Sequence, residues 1–88
     1  MTAEEKIANS GFEDICILKN FSYDDALIGI SHDDRAIYDY DKMINCLVRE
    51  HGFTYSEAIE WIDYNTIRAL PYMGPKAPII MYSLEEFL

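Results

Sequence analysis

Positive charge is what this chain has least of. Seven Lys and Arg stand against sixteen Asp and Glu, for a net charge of −9. Nucleic acids and anionic membranes are polyanions, so neither is an expected partner. Cysteine is scarce too. Cys16 and Cys46 have no Cys-x-x-Cys spacing, and His32 and His51 do not complete a metal-binding Cys/His set. Both cysteines fall on apolar stretches and read as buried thiols, with no disulfide needed. No apolar run approaches the ~18 residues that span a bilayer. The start, Met1 to Lys6, lacks the apolar core of a signal peptide, so a cytoplasmic location is expected. There is no phosphate-binding glycine loop. No Ser or Cys nucleophile stands at a triad-like spacing from either histidine, and His32 to Met43 lacks the glycine and closing glutamate of an EF-hand loop. No catalytic residue, metal or cofactor is therefore expected.

What is present is apolar. Half of the 88 residues are hydrophobic and 14% are aromatic, including seven tyrosines. That excludes a disordered chain despite the charge. The length fits one domain, residues 1–88. A chain this short buries only about 60–65% of its unfolded surface. Its core is thin, and a homodimer interface is one way to complete it.

The longest unambiguous segment is Thr54 to Leu70. Thr54 and Glu57 form a capping box, and Phe53 before the cap is placed to pack on Ala58. Tyr55, Ala58, Ile59, Ile62, Thr66, Ala69 and Leu70 share one face, and Pro71 ends the helix. Trp61, Tyr64 and Ile67 lie off that stripe, so the apolar face is wider than one packing layer needs. The preceding segment, about 41–51, repeats the pattern with Tyr40, Met43, Ile44, Leu47, Val48 and His51. Asp39 or Asp41 is its cap and Gly52 its stop.

Upstream, Thr2 and Glu5 signal a short terminal helix over residues 2–9, expected to fray. Ile15 to Leu18 reads as a strand on its β-branched content. Ala26 to Ser31 and Arg35 to Tyr38 read as a hairpin closed by His32-Asp33-Asp34, with Gly29 marking a bulge. Ile79 to Tyr82 is a further strand, and Ser83 to Leu88 a capped turn. The predicted fold is α+β: a small, mainly antiparallel sheet, hairpin plus C-terminal strand, covered by two consecutive helices at about 41–51 and 54–70.

Asp63-Tyr64-Asn65-Thr66-Ile67-Arg68-Ala69-Leu70-Pro71-Tyr72, with Ala77-Pro78-Ile79-Ile80-Met81-Tyr82, resembles a family of small acidic hypothetical proteins from Firmicutes genomes and their phages and prophages. Tyr23-Asp24-Asp25-Ala26, Ile28-Gly29 and Ala36-Ile37-Tyr38-Asp39 extend the likeness, which covers Tyr23 to Tyr82. It implies a phage or mobile-element setting and brings no activity, cofactor or site residue.

Three functional expectations follow. The first is a non-enzymatic module that binds a protein partner or a second copy of itself through Trp61, Tyr64, Ile67 and Tyr72. The second is an acidic mimic of nucleic acid, built on Asp24, Asp25, Asp33, Asp34, Asp39 and Asp41, that inhibits a host nuclease or defence protein in the manner of an anti-CRISPR. The third is a small enzyme or a cation-binding domain.

Overall fold

A computed structural model describes residues 1–19 and 21–84. Its elements, in order, are α1 (Ala3–Asn9), a 3-10 turn (Asp24–Ala26), β1 (Leu27–Ile30), β2 (Ala36–Asp39), α2 (Tyr40–His51), α3 (Tyr55–Trp61), a π-helical turn (Ile62–Thr66), a 3-10 helix (Ile67–Tyr72) and β3 (Ile79–Met81). The fold is α+β. The strands form one sheet in the order β1-β2-β3.

The hairpin closes as its residues require. Ser31 N–H donates to Arg35 O at 2.8 Å, leaving His32, Asp33 and Asp34 as the loop. Asp34 takes the left-handed conformation (φ 62°), the last position of a three-residue hairpin loop. The register runs Leu27 to Tyr38 and then Gly29 to Ile37. Ile28 is thus the extra residue of a bulge, and it faces solvent.

β3 pairs with β2 in parallel, Ile37 against Ile79 and Asp39 against Met81, so the sheet is mixed. A parallel pair needs a long crossover. The helical residues 40–72 supply it, carrying the chain back to the end where β2 began. Arg35 fastens the return, its Nε donating to Ala77 O at 2.8 Å.

α2 is the hub. Asp39 Oδ1 accepts from Lys42 N–H at 3.1 Å, and Gly52 ends the helix at φ 71°. Phe53 N–H then reaches back to Leu47 O at 3.2 Å. Met43, Ile44, Cys46 and Leu47 are buried, against β2, α3 and the 3-10 turn at Asp24.

Four expectations change. α1 is clamped rather than frayed, since Ala3 N–H donates to Asp24 Oδ1 at 2.8 Å and Lys6 Nζ to Asp24 O. Ile15 to Leu18 is not a strand. It buries Ile17, and its tie to the sheet is Leu18 N–H to the Tyr38 hydroxyl, 3.2 Å, a side-chain bond in place of a ladder. Tyr55, placed on the core stripe, is 60% exposed at the first turn of α3. The helix from Thr54 does not stay α-helical to Leu70: it widens at Ile62 and tightens from Ile67. The 3-10 helix runs through Pro71 to Tyr72, since the fixed φ of proline suits a helix where no N–H is demanded of it. The Ser83–Leu88 turn lies mostly outside the described residues.

Candidate functional site

The Thr54 capping box forms as expected, with Thr54 N–H to Glu57 Oε1 at 2.9 Å and Glu57 N–H to Thr54 Oγ1 at 3.1 Å. The Glu57 carboxyl is held below its usual range, first by the Thr54 backbone N–H and then by the Thr54 hydroxyl. One turn later the chain changes pitch. Ile67 N–H bonds Ile62 O, an i to i−5 bond, which inserts one residue into the turn. Side chains beyond it rotate by about 100° relative to a continuous α-helix. Ile67 therefore packs against the core, while Ala69 and Leu70 are only half-buried.

Of the four residues expected to meet a partner, Trp61 and Tyr64 come together. With Phe53, Glu57, Glu60 and Asn65 they line a wide, shallow groove of about 340 Å³. Trp61 is half-buried, its ring edge-on to Phe21 with centroids 4.6 Å apart, so it is held at a fixed angle. Tyr64 is 63% exposed, with the Arg68 guanidinium 5.0 Å from its ring centroid. Asn65 Nδ2 donates to Trp61 O at 3.2 Å across the turn. Tyr72 is 89% exposed on the 3-10 helix, outside the groove lining. Ile67 is not part of an exposed patch.

The six aspartates separate into two kinds. Asp24 and Asp39 bond backbone N–H groups, and Asp39 is buried, so it caps α2 rather than forming an acidic surface. Asp33 and Asp34 sit at the hairpin tip, remote along the ribbon from Asp24, Asp25, Asp39 and Asp41. Ser31 Oγ bonds Asp33 and lowers its pKa, with Arg35 4.0 Å from the same carboxylate. Among the described residues no three His, Cys, Asp or Glu side chains are arranged to hold a metal ion. His51 lies against Phe21, ring centroids 4.5 Å apart.

Two features escaped the sequence reading. Tyr40 donates to Asp63 Oδ1 at 3.1 Å and packs on Tyr82 at 4.9 Å. Desolvation first, then Asp63, pushes the Tyr40 phenol up to about 12. The second is a buried pair, Tyr23 and Thr66, whose hydroxyls make no hydrogen bond.

Comparison with known proteins finds no matching family model, no matching curated protein and no matching solved structure. No helix among the described residues is long and apolar enough to cross a membrane.

Proposed function

We propose that the chain is a protein-binding module whose contact surface is the Phe53–Trp61–Tyr64 groove, and that the bound segment carries Arg or Lys beside an apolar side chain. The supporting observation is the lining itself: aromatic faces next to Glu57 and Glu60, two exposed carboxylates, on a chain of net charge −9. Aromatic faces attract cations, as Arg68 already does on one face of Tyr64, and the carboxylates add charge complementarity. Fixed aromatic rings with exposed area are the residues that most often dominate binding energy. The phage or mobile-element setting implied by the resemblance, and the cytoplasmic location expected from the sequence, belong to this same proposal. A mimic of nucleic acid needs a continuous row of free carboxylates. The six aspartates do not favour it, because two bond backbone and the others divide between the two ends of the hairpin.

The test is affinity capture from a host lysate with the wild-type chain beside Tyr64→Ser and Glu57→Gln/Glu60→Gln variants, followed by titration of the captured protein against Trp61 fluorescence. The expected result is a complex that both variants weaken and that added salt weakens further. A complex indifferent to all of these changes would count against the groove. The solution mass decides whether the partner is a second copy.

A further inference from the structure

A second cleft lies beside the π-helical turn. It has a volume of about 340 Å³ and is half-open. Cys16, Leu18, Lys19, Ala69 and Met73 line it together with Tyr23 and Thr66. Tyr23 is 2% exposed and Thr66 4%. Neither hydroxyl has a hydrogen-bond partner among the described residues.

In an α-helix a threonine hydroxyl can donate to the carbonyl four residues back. Here Thr66 Oγ1 makes no such bond, although Ile62 O, which accepts the Ile67 N–H of the π-helical turn, keeps a second lone pair. Tyr23 stands next to it. Burial pushes its phenol up to about 12, and the adjacent Thr66 hydroxyl acts in the other direction. The two groups are neighbours without the geometry of a hydrogen bond. Each hydroxyl can both donate and accept. Leaving two of them buried and unpaired is costly, and native proteins seldom do it without a reason. π-Helical turns themselves concentrate at functional sites.

We infer that this cleft binds a small neutral molecule with an apolar body and one hydroxyl or carbonyl group, which pairs with Tyr23 and Thr66 while the body lies between Leu18, Ala69 and Met73. The volume sits at the low end of natural ligand pockets and is about twice that of an apolar cavity that holds benzene. The two buried hydroxyls call for a neutral hydrogen-bonding group, and Lys19 is the one charged residue of the lining. Both hydroxyl oxygens are shut off from solvent, so the ligand must displace a lining side chain to reach them. Met73, unbranched and half-buried, is the one suited to move.

Amide NMR titration with phenol, and with benzene as the probe lacking a hydroxyl, tests this on the intact chain. Phenol should give saturable shifts confined to residues 16–18, 23, 65–69 and 73, and should bind about tenfold more tightly than benzene, the worth of one hydrogen bond. Thr66→Val, which keeps the shape, and Tyr23→Phe should each erase most of that preference while leaving benzene binding unchanged. Bound phenol should also slow alkylation of Cys16, followed by peptide mass so that Cys46 is scored separately. Scattered or non-saturating shifts with phenol, equal affinity for the two probes, or an undiminished preference in Thr66→Val would each overturn the inference. Asn65 lines both clefts, so its shift is not scored; the remaining readouts do not depend on the Trp61 groove, and the two proposals fail independently.

Discussion

Two residues carry the turn between α2 and α3. Gly52 sits at φ 71°, and a Cβ placed there would meet nothing within 4 Å. The cost of Gly52→Ala is therefore conformational alone, about 1 kcal/mol for a left-handed non-glycine residue. Thr54→Ala removes the acceptor for Glu57 N–H and should cost about 1 kcal/mol as well. Denaturant melts of both variants check these values. An unchanged midpoint for Gly52→Ala would mean the corner forms without its glycine. The same caps set a pH dependence. Glu5 and Glu57 both have folded pKa values below the ordinary 4.5, held down first by the backbone N–H of Thr2 and Thr54. A depressed carboxylate stabilises the fold above its unfolded pKa, and that contribution is lost as pH falls through the folded value. Thermal midpoints taken from neutrality into acid should fall for the wild type. In a Glu5→Gln/Glu57→Gln variant the fall should be shallower, because the amide keeps an acceptor and has no proton to gain.

At the scale of elements, what could be read in advance was what is decided locally. α2, with the Asp39 cap and Gly52 stop, was legible because each signal lies within a few residues of the bond it makes. So was the three-residue hairpin loop, which ends on Asp34. The π-helical turn was not, since no residue type in Ile62–Thr66 marks an i to i−5 bond. Missing it misplaced Ile67, Ala69 and Leu70. The parallel pairing of β3 was not legible either, because it depends on where a crossover from Tyr40 to Tyr72 delivers the chain. Ile15 to Leu18 has strand composition, yet the Tyr38 hydroxyl meets it where a strand would offer backbone. Trp61 and Tyr64, both read as lying off the core stripe, line one groove. Glu57 beside them was read only as part of the capping box. Packing energetics at this scale centre on Ile62, fully buried at the start of the π-helical turn. Ile62→Ala should cost about 2–5 kcal/mol, from lost transfer energy plus the cavity left behind. A loss well under 1 kcal/mol in a urea titration would show that the widened turn collapses to fill the space.

Across the whole molecule the seven tyrosines divide by task. Tyr23 and Tyr38 are in the core, Tyr40 pairs with Tyr82, and Tyr55, Tyr64 and Tyr72 face outward. A thin core gives a small domain little stability to spare. The outward tyrosines contribute little to it, since exposed side chains free of caps and buried networks usually change stability by no more than about 0.5 kcal/mol when replaced. Tyr64→Ala should therefore leave the unfolding midpoint almost where it was, while weakening any complex made through the Trp61 groove by about tenfold or more, as loss of an aromatic anchor does. Glu60→Gln should act differently. It removes a charge at the groove edge, so it should slow association and flatten the dependence on salt, with little effect on dissociation. Surface-plasmon kinetics at two salt concentrations, run beside a denaturant melt of each variant, separates the two effects. If Tyr64→Ala lowered the melt as much as it lowered binding, the ring would belong to the fold, and the groove would lose its claim to a partner.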